Sequence, residues 1–247
     1  MRRPIVVGNW KMYTRAADAT ILATTLRDNL ARLPEAEIVL CPPAVWISEV
    51  LAVVGRGRIE LGAQNMYFEV EGAFTGEISP LMIRDVAKYV IIGHSERREH
   101  FGETDEIVNE KTIAALEAGL VPIVCVGERK KKNNPAEPVA ELKAALEEIP
   151  KKRLTDIVVA YEPVWAIGTG DNAAPEYVAR VINQLREVGL AETPVLYGGS
   201  VNSKNIAAYA ARPEIDGVLV GGASIRSSEF VKICETWARV KHFRSQA

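Results

Sequence analysis

Short, continuously apolar runs rich in β-branched residues alternate along the chain with longer stretches whose apolar residues recur at helical spacing. The runs are Ile5 to Asn9, Glu37 to Cys41, Ile59 to Ala63, Tyr89 to Ile92, Val121 to Val126, Ile157 to Tyr161, Pro194 to Tyr197 and Gly217 to Val220. Most lack the apolar–polar alternation of a half-exposed strand. Such runs are expected to be buried on both faces, as in a parallel sheet covered by helices. The helical stretches include Ala16 to Leu33, with apolar residues at Ile21, Leu22, Leu26 and Leu30, and Ala136 to Ile149, with Val139, Leu142, Ala145 and Leu146. Glu103 to Ala118 follows an acidic start that suits a helix N-terminus. Pro175 to Val188 opens with a proline, which fits a first helical turn. Ser227 to Val240 is the last of them.

Eight strand-then-helix units predict an α/β fold: one closed (β/α)8 barrel, with eight parallel strands surrounded by helices. An open, doubly wound sheet is the alternative. The chain of 247 residues fits one barrel domain over 1–247. The polar stretch Lys130 to Pro135 reads as a solvated loop before a helix, not as a linker.

Composition narrows the partners. Thirty basic and 32 acidic residues leave a net charge of -2, so neither nucleic acid nor a membrane surface is an expected partner. No apolar run approaches the roughly 20 residues needed to span a bilayer. The apolar part of Met1 to Val7 stops at Gly8-Asn9, too short for a secretory signal. Cys41, Cys125 and Cys234 are widely separated and read as buried free thiols in a reducing, cytoplasmic setting. No Cys/His cluster has metal-ligand spacing, so no metal is expected.

In a closed barrel, reactive groups sit at the carboxyl ends of the strands and in the loops that follow. The strand list thereby becomes a search list. Its ends are Gly8-Asn9-Trp10-Lys11, Gly93-His94-Ser95-Glu96-Arg97, Gly127-Glu128, Glu162-Pro163-Val164-Trp165, Gly198-Gly199-Ser200 and Gly221-Gly222-Ala223-Ser224. Glycine lets backbone N–H groups approach an anion closely. Paired glycines with a serine after strands seven and eight mark the usual phosphate position of such barrels. Glu162 ends an apolar run, where desolvation makes a carboxylate a better proton acceptor. His94 lies where a strand meets a turn or short helix. A helix N-terminus disfavours imidazolium and leaves a ring that donates a hydrogen bond. Lys11 directly follows the first strand.

These segments resemble the triosephosphate isomerase family. The resemblance rests on Gly8-Asn9-Trp10-Lys11-Met12, on Gly93-His94-Ser95-Glu96-Arg97-Arg98 and on the string from Ala160 to Gly170, which reads AYEPVWAIGTG. It rests also on Tyr197-Gly198-Gly199-Ser200-Val201 and on Val220-Gly221-Gly222-Ala223-Ser224. The segments keep family order and spacing over essentially the whole chain, and the 160–170 string is the most specific.

The resemblance implies a TIM barrel that interconverts dihydroxyacetone phosphate and D-glyceraldehyde 3-phosphate through an enediolate, without a cofactor. It implies that Glu162 is the base, that His94 polarises the carbonyl and helps shuttle protons between oxygens, and that Lys11 stabilises the enediolate and phosphate charge. Asn9, Gly168, Ser200, Gly221 and Gly222 bind substrate, and Glu96, Cys125 and Glu128 support the site. Val164 to Ala174 resembles the family's mobile lid, whose closure excludes water from a reactive intermediate. The stretch Gln64 to Glu77 resembles the long third loop that enters a second subunit, which implies a homodimer with Thr75 as contact residue.

Two features depart from the family pattern: Arg129-Lys130-Lys131-Lys132 after Glu128, and Asp171 to Ala174 at the far end of the lid. Two rival readings are another phosphosugar barrel enzyme, such as an aldolase, and a catalytically silent dimeric scaffold. An aldolase wants a Schiff-base lysine inside the barrel, and no strand interior offers one.

Overall fold

A computed structural model describes residues 2–30, 33, 36–131, 136–166 and 172–245. The strands are β1 (Ile5–Asn9), β2 (Glu37–Cys41), β3 (Ile59–Ala63), β4 (Tyr89–Ile92), β5 (Val121–Glu128), β6 (Val158–Pro163), β7 (Val195–Tyr197) and β8 (Gly217–Val220). Each pairs with the next, and β8 returns to β1, so the sheet is a closed barrel. All the pairings are parallel, and closure runs from Ile5 opposite Gly217 to Gly8 opposite Val220.

The uniform hydrophobicity of the strands has a direct cause. Side chains alternate across a strand, and both faces here meet apolar partners. One set, including Val7, Val39, Ile91, Ile123, Ala160 and Leu196, forms a core cluster of its own. Its alternates, including Val6, Leu40, Val90, Val124 and Val159, pack with helix residues such as Leu22, Leu26, Val181 and Ile182. The first cluster holds only strand residues and fills the barrel; the second is the layer between barrel and helices.

The helices are α1 (Ala16–Leu30), α2 (Ile47–Val54), α3 (Pro80–Arg84), α4 (Ser95–Phe101), α5 (Asp105–Glu117), α6 (Ala136–Ala145), α7 (Pro175–Arg186), α8 (Ile206–Ala210) and α9 (Ser227–Ser245). Local chemistry fixes several starts. The Ser79 side chain accepts the Met82 N–H ahead of α3, and Thr104 does the same for Ile107 ahead of α5. The predicted start at Glu103 therefore moves inward to Asp105. Pro175 opens α7 as expected.

Four helices escape the sequence pattern. Of these, α3 and α8 have 5 residues, α4 has 7 and α2 has 8. Little more than two turns, at about 3.6 residues each, is too short to display a period. Two strands also run further than their apolar runs. The pairs Gly127–Glu162 and Glu128–Pro163 continue the β5–β6 ladder, so groups read as lying after strand five belong to it. A glycine and two glutamates have little intrinsic strand preference, and the neighbouring strand imposes the conformation.

Candidate active site

The carboxyl ends of the strands surround a cavity of about 530 Å³. Its wall brings together Asn9 and Lys11 from the end of β1, His94 after β4, Glu162 in β6, Ser200 after β7, and Gly221 and Gly222 after β8.

Glu162 is 2% exposed. Its Oε2 accepts the Ser95 backbone N–H at 2.8 Å. Its Oε1 lies 3.1 Å from His94 Nε2, but the ring N–H is not aimed along that line, and Oε1 has no hydrogen-bond donor. One oxygen is anchored and the other keeps free lone pairs. His94 caps the start of α4, and its Nδ1 accepts the Glu96 N–H at 3.2 Å. An accepting Nδ1 carries no hydrogen, so the ring proton sits on Nε2 beside Glu162. A proton acceptor and a hydrogen-bond donor thus stand next to each other at the cavity wall.

Lys11 has a backbone φ of 51°, a left-handed conformation that costs a non-glycine residue about 1 kcal/mol. Neighbouring groups hold it there. The Asn9 Oδ1 accepts the Lys11 N–H at 2.9 Å, and the Gln64 amide donates to the carbonyls of Lys11 and Cys41 at 2.8 and 2.9 Å. The Lys11 ammonium pairs with the Glu96 carboxylate. Burial alone raises the Glu96 carboxyl, but the hydrogen bond and charge of Lys11, with His94 and His100, bring it below its ordinary value.

One glycine of each pair makes room for a cavity side chain. A Cβ on Gly198 would lie 3.0 Å from Glu162 Cγ, and one on Gly221 would lie 3.0 Å from Lys11 Cε. Both distances are tight, so a larger residue at either position pushes on a cavity group. Ser200 lines the wall, and its hydroxyl donates to the Ala166 carbonyl at 3.0 Å. Gly168 lies outside the described residues, as do positions 167–171 of the lid-like stretch. Before them, Val164–Ala166 form a short 3-10 turn. After them, Ala173 is held by the Tyr209 hydroxyl at 2.7 Å.

Glu128 is fully buried. One of its oxygens accepts from Tyr161 at 2.8 Å, from Trp165 Nε1 at 2.9 Å and from the Tyr177 hydroxyl. Burial, then the hydrogen bond and charge of Glu128, push the Tyr161 hydroxyl far above its ordinary value. Cys125 is fully buried among the strand residues that fill the barrel. Burial first and the Glu162 charge next hold it as a thiol, so it contributes packing beside Glu162 and no nucleophile. Cys41 and Cys234 are likewise buried and free. Thr75 is exposed and is not among the residues that line the cavity. Among the described residues, no three His, Cys, Asp or Glu side chains cluster to hold a metal ion.

Sequence reasoning passed over Asn202 and Arg226, gave Ser95 no role of its own, and read Gly198 only as one of a phosphate-binding glycine pair. Ser95 stood inside a quoted string, but its contribution is a backbone N–H, which no side-chain pattern displays. Arg226 follows the second glycine pair closely in the chain, and that proximity was the signal available.

The sequence model of the family described as triosephosphate isomerase matches residues 4–237. A triosephosphate isomerase of Dehalococcoides mccartyi strain CBDB1 is 44% identical over 251 residues, covering 98% of this chain and 99% of the relative. That of Chloroflexus aurantiacus is 47% identical over 247 residues, covering 94% and 98%. That of Caldanaerobacter subterraneus subsp. tengcongensis is 44% identical over 247 residues, covering 94% and 99%.

Proposed function

The chain belongs to the triosephosphate isomerase family, and from that premise we propose how its own residues interconvert dihydroxyacetone phosphate and D-glyceraldehyde 3-phosphate. The reaction is a glycolytic aldose–ketose isomerisation. A proton leaves the carbon beside the carbonyl, an enediolate forms, the hydroxyl proton passes from one substrate oxygen to the other with the help of His94, and a proton returns to the neighbouring carbon.

Glu162 takes that proton on Oε1, the oxygen without a hydrogen-bond donor, and returns it. The Ser95 N–H keeps the carboxylate in place through Oε2. His94 Nε2–H donates to the substrate oxygen that gains charge as the enediolate forms. Lys11, whose ammonium faces the same cavity, stabilises that charge and the phosphate. Asn9, Gly168, Ser200, Gly221 and Gly222 make up the substrate-binding set. The reaction needs no cofactor, because only protons move, between the two carbons and between the two oxygens, with no net oxidation. The observation that carries this reading is the meeting of Glu162, His94 and Lys11 on one cavity of about 530 Å³, which suits a small phosphorylated triose.

The test is Glu162→Gln, which keeps an acceptor for the Ser95 N–H and removes the basic oxygen. We expect kcat to fall about 10³-fold with the fold unchanged. Full activity in that variant removes Glu162 from the role of base.

The wider reading is of one catalytic domain over 1–247 that acts as a cytoplasmic homodimer, with Thr75 at the contact between subunits. Supporting it, a second hollow of about 520 Å³ adjoins the site, lined by Lys11, Met12, His94, Glu96 and Phe101 among others. Met12 and Phe101 are exposed apolar side chains on its wall, which a partner's loop would cover. Among the described residues, no helix is long and apolar enough to cross a membrane.

A further inference from the structure

Among the residues that line the reactive cavity, three carry formal charge: Lys11, Glu162 and Arg226. The Lys11 ammonium acts on a bound substrate at close range, but its pairing with Glu96 weakens its pull on an anion still at a distance. That leaves Glu162 as an uncompensated anion facing a substrate that carries a phosphate. Of the two lining cations, Arg226 is the one outside an ion pair among the described residues. Its exposed side chain makes no hydrogen bond or ion pair among the described residues. The acid nearest along the chain, Glu229, accepts the Ser203 N–H at 2.6 Å and feels the Arg226 charge without forming an ion pair with it.

The backbone at Arg226 is nonetheless fixed. Its N–H donates to the Ala223 carbonyl at 3.3 Å, and its own carbonyl accepts from Glu229 and Phe230 at 3.0 and 2.9 Å. The segment therefore anchors Arg226 on the cavity wall, with a guanidinium outside any ion pair among the described residues. A positive group in that place raises the local concentration of an anionic ligand without touching the reacting carbons.

We propose that Arg226 is an anion-capture residue that draws the substrate phosphate to the mouth of the site and takes no part in proton transfer. The proposal rests on the site reading above. Its effect belongs in kcat/KM and in the dependence of kcat/KM on salt. A unit charge acting on a phosphate dianion at the mouth changes capture by roughly three- to tenfold at about 10 mM ionic strength, where the screening length is about 30 Å. At about 0.15 M the length shrinks to about 8 Å, and the difference falls below about twofold.

The experiment compares Arg226→Gln, Arg226→Lys and Lys143→Gln with the unsubstituted chain, using D-glyceraldehyde 3-phosphate across that salt range. Lys143 is an exposed residue of α6, and its loss removes the same charge from outside the site. We expect Arg226→Gln to lose three- to tenfold in kcat/KM at low salt, with a shallower salt slope and kcat within about twofold. Arg226→Lys should retain most of the value, and Lys143→Gln should keep the parent slope. An unchanged kcat/KM and slope in Arg226→Gln would overturn the proposal. So would an equal loss in Arg226→Lys or in Lys143→Gln, or a loss confined to kcat. Glu162→Gln tests the site separately, so failure here would remove the role of Arg226 alone.

Discussion

At the residue scale, the site depends on groups whose hydrogen bonding is unequally shared between their own atoms. Glu162 has one anchored oxygen and one without a donor. Glu128 is a stronger case. One buried oxygen serves Tyr161, Trp165 and Tyr177, while the other has no partner. Only a carboxylate suits this arrangement, because it presents acceptors alone. In Glu128→Gln the amide oxygen keeps the three donors and the amide N–H2 takes the position without a partner. A buried unsatisfied donor costs about 1–3 kcal/mol, and three bonds to an ion become weaker neutral ones. We expect the midpoint of thermal unfolding to fall by about 4–8 °C, at the 2–4 °C per kcal/mol usual for chains of this size. Calorimetry decides it, and an unchanged midpoint would mean that the three donors find other partners. The positions of Glu162, His94 and Lys11 were legible because the rim rule assigns chemistry to strand ends. The space made by Gly198 for Glu162 was not, since it joins two strands far apart in the chain.

At the element scale, strands were easier to read than helices. A strand buried on both faces announces itself by unbroken hydrophobicity, and each of the eight runs became one. The short helices and the extension of β5 into Gly127 and Glu128 depend on neighbours instead. One such neighbour is Glu141 of α6, a buried residue whose Oε2 accepts the Gly127 N–H at 2.8 Å. Through Gly127 it holds the strand that pairs with Glu162. Burial raises the Glu141 carboxyl above its ordinary value. Asp105 adds to that rise, while Arg98, the Gly127 N–H and Arg129 oppose it. The sign follows. A carboxyl with a raised folded-state pKa supports the fold at pH values below the ordinary carboxyl range. It withdraws that support as pH climbs through the raised value. Glu141→Gln keeps an acceptor for Gly127 and removes the titration. We expect the variant's melting temperature, relative to the parent, to be higher at pH 8 than at pH 5 by about 2 °C. Equal differences at both pH values would show that Glu141 does not titrate across this range.

At the scale of the whole molecule, the barrel leaves apolar surface that its own core does not use. Met12 is 95% exposed, Phe101 69% and Val45 68%. Met12 and Phe101 line the hollow that also holds Lys11, His94 and Glu96, and Ala44, next to Val45, lines it too. Surface of this kind beside a reactive centre is costly to leave in water, and covering it offsets the cost of association. A loop from a second copy fits the need. The exposed stretch around Thr75 carries its own aromatic support, with Tyr67 stacked on Phe68 and Phe74 beside it. If that loop seats in the partner's hollow, association and catalysis are coupled, because Lys11 and Glu96 form part of the contact wall. Sedimentation equilibrium should then give twice the 27.0 kDa chain mass. Thr75→Arg, which places a charged side chain at the loop tip, should shift the chain toward monomer and lower kcat/KM at least tenfold. Both effects should recede as protein concentration rises, since mass action restores the pair. A fully active 27.0 kDa species at micromolar concentration would separate assembly from catalysis and leave the exposed apolar wall to another partner.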